Sequence, residues 1–97
     1  MIKIFKIQGN SLHPFVKDGQ RVLCTKISKF TRLKIDDIVV FEKNEYGLMI
    51  KQIKSISWKG FFVQGTDAFS IDSRDFGEIH KDELKYKLLF KIPPPFL

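Results

Sequence analysis

A serine and a lysine are the side chains of this sequence best suited to nucleophilic chemistry. Ser11 lies in the segment GNSLHP, and Lys51 lies in the apolar segment LMIKQI. A serine hydroxyl can attack a carbonyl carbon when a nearby base removes its proton, and a neutral amine is such a base. These two residue types could therefore supply a nucleophile and its base.

Each of the two residues also has a plainer interpretation. The glycine and asparagine before Ser11 adopt left-handed conformations easily and a serine hydroxyl caps turns, so this stretch alone is typical of a turn. In a strand, Lys51 shares a face with Met49 and Ile53. A lysine there can pack its stem on apolar neighbours and keep its ammonium in water. The alternative is a desolvated amine whose pKa burial lowers far enough for it to act as a base at neutral pH.

A third segment, GTDAFSIDSRDFG at residues 65–77, is rich in polar side chains. Asp72 and Arg74 could pair across a loop, and Ser70 and Ser73 could cap turns. On residue types alone the segment is a surface loop.

Strands must position these residues. Alternating or continuous apolar runs bounded by turn residues predict strands at residues 2–7, 21–27, 37–42, 48–57, 61–65 and 84–92, with turns at 44–47 and near 59–60. The continuous run VVF in the third strand predicts burial on both faces. Residues 66–76 are predicted to be a loop, and no segment of twelve or more residues has helical periodicity.

The last strand shows the clearest alternation. Its apolar residues recur at every second position and alternate with lysines, which predicts one buried and one wet face; they are Leu84, Tyr86, Leu88, Phe90 and Ile92. Proline then ends the strand and leaves a Pro-rich tail at residues 93–97. We expect one domain over residues 1–97, mainly β, as a small twisted antiparallel sheet or partly open barrel.

Composition excludes several classes. The formal charge is +6, but the lysines are scattered and no Arg-rich patch with interleaved aromatics occurs, so nucleic-acid binding has no specific support. The one cysteine, Cys24, cannot form an internal disulfide, and no Cys or His cluster has metal-ligand spacing. No apolar run approaches the roughly 18 residues that span a bilayer, and the first ten residues are too charged for a signal peptide. We expect a soluble, cytoplasmic protein.

Four segments, GNSLHP, IDDIVVF, MIKQI and GTDAFSIDSRDFG, resemble the successive boxes of the signal-peptidase-like (S26-type) serine proteases, which use a Ser-Lys dyad. They occur in the family's order and cover residues 9–79. The resemblance implies a sheet of the signal peptidase or repressor C-terminal-domain type. It also implies that Ser11 is the nucleophile and Lys51 the general base. Ser70 would hydrogen-bond the Lys51 amine, and Asp72 and Arg74 would brace the loop that holds Ser70.

The resemblance also assigns the remaining groups near the nucleophile. The Ser11 N–H is the expected oxyanion donor, and Gly9 stands where some relatives carry a second donor hydroxyl. No metal or cofactor is implied. His13 and His80 are expected to face solvent, and Cys24 to be buried packing rather than a nucleophile.

Four features depart from the family pattern. Leu12 replaces a methionine, Gln52 stands where an arginine follows the lysine, and Asp36 stands where a glycine precedes Asp37. The loop at residues 65–70 is one residue shorter.

Only ten residues precede Ser11, so no integral membrane anchor is expected and the substrate would be met in solution. Short anchorless members of the family resemble the maturation proteases that remove a leader from the precursor of nickel-type superoxide dismutase. An extended precursor would pair with strand edges at about residues 5–9 and 47–51. Two alternatives stay open. One is a signal-peptidase-like enzyme with a membrane partner, and the other is a non-catalytic basic β module.

Overall fold

The computed structural model describes residues 1–9 and 11–93, and these form one antiparallel sheet of six strands. The strands are β1 (Ile2–Lys6), β2 (Arg21–Lys26), β3 (Ile38–Lys43), β4 (Gly47–Ser57), β5 (Gly60–Gln64) and β6 (Leu84–Ile92). Their order across the sheet is β1-β2-β6-β3-β4-β5. Within the described ranges no ladder joins the edge strands β1 and β5, so the sheet is open. The predicted mainly-β class is confirmed.

The predicted strands all form, and each end agrees with the prediction or differs from it by one residue. The buried run in β3 is also confirmed, because Val39, Val40 and Phe41 are all buried. Val40 packs into an apolar cluster on one face of the sheet together with Leu12, Val16 and residues of β2. Val39 and Phe41 pack into a second cluster on the other face. β3 is therefore the strand that both cores share.

The alternation predicted for β6 is broken near its end. Phe90 is 53% exposed, although it should lie on the buried face with Leu88. Leu88 pairs with Cys24 while Phe90 pairs with Leu23, so Leu89 is an extra residue in a β-bulge. One extra residue reverses which face the following side chains occupy. The bulge therefore moves Phe90 to the outer face.

The segment predicted as a loop at residues 66–76 contains one short helix, α1 (Ser73–Phe76). Asp72 caps it, because its side chain accepts a hydrogen bond from the Arg74 N–H while Asp75 binds back to the Asp72 N–H. A short 3-10 turn follows at Lys81–Glu83. The loop prediction was wrong for α1, since a single capped turn is too short to show helical periodicity.

Beyond β6, residues 94–97 of the predicted Pro-rich tail lie outside the described residues. In the part of the chain that the structure describes, no helix has the length and apolar content needed to cross a membrane.

Candidate functional site

Ser11 lies in the loop between β1 and β2, and packing holds this loop in place. Leu12 and Val16 are buried in the core, and the N–H groups of Phe15 and Val16 donate to the Leu12 carbonyl. Leu12 thus packs into the core directly after Ser11, at the position where the family pattern has a methionine. At the base of the loop, the Gly9 N–H donates to Asp18 Oδ1 at 2.7 Å. Ser11 itself is partly exposed.

The Ser11 hydroxyl lies beside β4. Its Oγ is 3.5 Å from the carbonyl oxygen of Ile50, the residue before Lys51. A hydrogen bond of that length is weak, so it does not fix the orientation of the hydroxyl. The structure therefore brings Ser11 to the strand position next to Lys51. Among the described residues, however, no hydrogen bond joins the Ser11 hydroxyl to the Lys51 amine.

The segment after β5 connects to the backbone of the Ser11 loop. Thr66 donates its N–H to the Ser11 carbonyl at 2.6 Å, and its hydroxyl contacts the carbonyls of Ser11 and His13. A side chain at the preceding residue, Gly65, would overlap the Ser11 carbonyl and lie 2.8 Å from Ser70 Oγ. Only glycine allows the two serine-bearing segments to approach this closely.

Lys51 is buried, with 3% of its surface exposed. It pairs with Val39 across β3 and β4, on the face of the second apolar cluster. Burial lowers the pKa of its amine because the charged form is desolvated, and the carboxylate of Asp72 opposes this shift only in part. Of the two interpretations of Lys51, the structure therefore supports the desolvated amine.

Asp72 is fully buried close to Lys51 but has many partners. Its carboxylate accepts hydrogen bonds from the Gly65 N–H at 3.0 Å and from Arg74 Nε and Nη2 at 2.9 and 2.6 Å. Burial alone would raise the pKa of Asp72, but the hydrogen bonds from Arg74 and Gly65 outweigh it and hold the pKa below its usual value. Arg74 Nη2 also donates to the Asp67 carbonyl at 2.8 Å. Asp72 and Arg74 thus tie residues 65–74 into one unit.

Ser70 differs from the expectation in its partners. Its hydroxyl donates to the Asp67 carbonyl at 2.9 Å and lies 3.5 Å from both Asp72 Oδ2 and Arg74 Nη2. Among the described residues no hydrogen bond joins Ser70 to the Lys51 amine, so the expected contact is not formed in this structure. The short loop favours the local Asp67 carbonyl as the partner of the hydroxyl.

The other polar candidates lie where the sequence analysis expected them. His13 and His80 are exposed. Cys24 is buried, and desolvation raises the pKa of its thiol to about 11. A thiol with that pKa is protonated at neutral pH and is a poor nucleophile.

A groove of about 290 Å³ runs beside the site, between the end of β1 and the start of β4. Its walls are residues 5–8 and 48–50, with Val40 at its floor. Among the residues that the structure describes, the outer edge of β1 has no partner strand. The β4–β5 ladder begins only at Gln52, so no described strand pairs with residues 47–51 of β4 on that side. Two unpaired strand edges therefore border the groove.

Sequence reasoning missed the residues that join the two loops. Thr66 donates its N–H and hydroxyl to carbonyls of the Ser11 loop, and Asp67 accepts through its own carbonyl. Backbone groups leave no residue-type signal, whereas Gly65 could have been noticed as a glycine directly after a strand. Asp36 has φ of 79°, a conformation that favours glycine, the residue that the resemblance gives to this position.

A scan of the chain against protein-family models gives no match, and a search of curated proteins gives none either.

Proposed function

We propose that this protein is a serine endopeptidase that uses Ser11 as nucleophile and Lys51 as general base. One observation carries the proposal. A buried amine with a lowered pKa lies on β4 next to the residue whose carbonyl contacts the Ser11 hydroxyl. Perturbed titratable groups beside a potential nucleophile are typical of active sites. Among the described residues Lys51 has no ion pair that would explain its burial structurally.

The chemistry follows from the two groups. Neutral Lys51 accepts the proton of Ser11 as Oγ attacks a peptide carbonyl, and the Ser11 N–H donates to the developing oxyanion. Lys51 then delivers the proton to the leaving amine, which leaves an acyl-enzyme. Water hydrolyses this ester, with the same amine acting as base. The mechanism requires the Ser11 hydroxyl to leave its long contact with the Ile50 carbonyl and to meet the Lys51 amine when substrate binds.

Asp72 and Arg74 act as positioning residues in this mechanism. They hold residues 65–74 as a unit. Thr66, which belongs to this unit, fixes the Ser11 loop by donating a hydrogen bond to the Ser11 carbonyl. The negative charge of Asp72 raises the pKa of Lys51. The ion pair with Arg74 weakens this effect, because the guanidinium lowers the Lys51 pKa.

The groove supports an extended peptide as substrate. A strand laid between residues 5–8 and 47–51 would find free backbone donors and acceptors on both sides, as in β-strand addition. The proposed substrate is the leader region of a precursor protein. The candidate that the family resemblance offers is the nickel-type superoxide dismutase proenzyme.

The test is incubation of the purified protein with that proenzyme, followed by intact-mass and N-terminal analysis of the product. Ser11→Ala and Lys51→Met should each lower the cleavage rate by about 10³-fold or more, since dyad members act as a unit. Lys85→Met is the matched control, because Lys85 is exposed on β6 and does not line the groove. This variant should cleave at the wild-type rate.

The outcomes separate the chemistry from the substrate. Equal behaviour of wild type and both dyad variants on every substrate would overturn the dyad. Cleavage of signal-sequence precursors but not of the dismutase precursor would keep the dyad and replace the substrate. Salt-sensitive binding of nucleic acid that ignores Ser11→Ala would favour the non-catalytic basic module.

A further inference from the structure

The end of the molecule formed by the β4–β5 hairpin carries exposed aromatic and basic side chains. Every residue from 54 to 59 is exposed, so the hairpin projects beyond both apolar clusters. The loop between β2 and β3 exposes residues of the same kinds. We call this surface the basic tip; it consists of Lys29, Phe30, Arg32, Lys34, Ile35, Lys54, Ile56, Trp58 and Lys59.

Backbone contacts place the two segments at one end. The Asp36 N–H donates to the Ile53 carbonyl, which brings the end of the β2–β3 loop alongside β4 just before the hairpin. On the other side, Gly60 packs directly against the backbone of Ile79. Two residues further on, Lys81 donates its amine to the carbonyls of Lys29 and Thr31. The hairpin and the loop are therefore linked through residues 79–81.

The aromatic rings of the basic tip are almost fully exposed. Trp58 has 91% of its surface accessible and Phe30 has 82%. Each ring has a lysine amine next to it, from Lys59 at 5.6 Å and from Lys29 at 5.2 Å to the ring centroid. Ile35 and Ile56 add exposed aliphatic surface. Large apolar side chains that are exposed to solvent and surrounded by charged residues are typical of an interaction surface.

The charge of the basic tip is of one sign. Its segments, residues 28–35 and 54–59, contain five lysine or arginine residues and no aspartate or glutamate. Two aspartates directly follow residues 28–35 in the sequence. Asp37 is paired with Lys87 at 3.4 Å, while Asp36 is exposed. Glu78 and Asp82 flank the connecting segment and are exposed as well. The surface is thus complementary to a dense array of negative charge.

We propose that the basic tip docks on an anionic lipid surface. Tryptophan and phenylalanine fit the interface between headgroups and acyl chains, and lysine and arginine fit anionic headgroups. The aliphatic residues favour a bilayer over a nucleic acid, because isoleucine side chains have no aromatic face on which bases can stack. This inference does not depend on the proposed peptidase activity.

Docking in this way leaves the groove accessible. Along β4 the basic tip begins at Lys54, about 10 Å from Lys51, and extends away from it to Ser57 at the strand end, about 20 Å from Lys51. A docked molecule would therefore hold the groove above the bilayer surface, open to the aqueous phase.

Trp58 gives a built-in probe, because it is the one tryptophan of the chain. The full-length protein is titrated with vesicles of phosphatidylcholine alone and with vesicles that also contain 30% phosphatidylserine. We expect a blue shift of the emission with the anionic vesicles only, quenching by lipids brominated on their acyl chains, and reversal at high salt. No spectral change with anionic vesicles would overturn the proposal.

Charge variants sharpen the test. Lys54→Gln with Lys59→Gln should lower the partition coefficient onto anionic vesicles about 30-fold, at about fivefold for each charge. Lys6→Gln with Lys17→Gln removes the same charge at the opposite end of the strands. This pair should lower the partition coefficient much less. Equal losses for both pairs would mean attraction by net charge alone and would overturn the assignment to the basic tip. Tighter binding of a single-stranded oligonucleotide than of vesicles would overturn the lipid assignment.

Discussion

Lys51 and Asp72 are both buried charged residues in one neighbourhood, yet their surroundings differ in kind. Asp72 has 0% exposure and accepts hydrogen bonds from Gly65 and from both the backbone and the guanidinium of Arg74. Lys51 has 3% exposure, and among the described residues no ion pair compensates its amine. The pKa of Asp72 is lowered, which favours its charged form, and the pKa of Lys51 is also lowered, which favours its neutral form.

The contrast separates a charge that stabilises the fold from the amine to which we assign the role of base in the proposed mechanism. A buried carboxylate with a full set of donors stabilises the fold that surrounds it. A buried amine without such partners destabilises the folded protein when it is charged. Its neutral form is therefore favoured, and a neutral amine can accept a proton. If this is correct, replacing the two residues must shift stability in opposite directions.

The largest effect on stability is expected for Asp72→Ala. The substitution removes the N-cap of α1 and leaves the Gly65 N–H and the Arg74 guanidinium without their acceptor. Since Arg74 is partly exposed and can turn to water, we expect a loss of about 2–4 kcal/mol rather than more. Urea unfolding at pH 7 measures it. Asp75→Ala, which removes only the reciprocal capping bond, is the matched control and should lose about 1 kcal/mol.

Equal losses for Asp72→Ala and Asp75→Ala would show that Asp72 acts only as a helix cap. The charge network with Arg74 and Gly65 would then contribute nothing, and the contrast with Lys51 would fail.

A smaller effect is expected for Gly65→Ala, which tests the link between the two regions. The new methyl group would overlap the Ser11 carbonyl and crowd Ser70 Oγ. Backbone cannot move aside as a flexible side chain can, so we expect a loss of about 1–3 kcal/mol and a separation of the two loops. Urea unfolding gives the stability, and hydrogen exchange at the Thr66 N–H reports the contact with the Ser11 carbonyl. Unchanged protection of that amide would contradict the link.

Gly47→Ala provides the comparison for Gly65→Ala. Gly47 has positive φ but open space around its Cβ position, so its variant reports backbone strain without a clash. It should leave the Thr66 amide protected.

The sequence was sufficient to predict the strands, because alternation and turn residues are local signals. It was not sufficient for the outer position of Phe90, since a bulge depends on how two strands pair and not on residue types. Helix α1 had a local signal that was overlooked: Asp72 and Asp75 have the spacing of a capping box.

Site prediction had a similar limit. Ser11 and Lys51 could be selected by chemistry and by family resemblance, and the structure brings their segments together. The partner of Ser70 could not be predicted, because the choice between Lys51 and the Asp67 carbonyl depends on the local path of a short loop.

The smallest effect, and the one of opposite sign, is expected for Lys51→Met. Methionine fills a similar volume with apolar atoms, so the variant should be more stable than wild type by about 1–2 kcal/mol at pH 7. Lys85→Met, at an exposed position, should change stability by less than about 0.5 kcal/mol. Urea unfolding of the three proteins in parallel makes the comparison.

The pH dependence of the stability gained by Lys51→Met identifies the Lys51 amine as the cause of that gain. In the unfolded chain Lys51 keeps its proton up to the ordinary pKa of 10.5, whereas in the folded protein it loses the proton at lower pH. Between these two values the unfolded state binds more protons, so wild-type stability rises with pH there. The advantage of Lys51→Met should therefore be full below the folded pKa of Lys51 and disappear as the pH approaches 10.5. A variant that is less stable than wild type at pH 7 would mean that the amine stabilises the fold. The distinction between Lys51 and Asp72 would then be lost, and with it the physical basis for a lysine base.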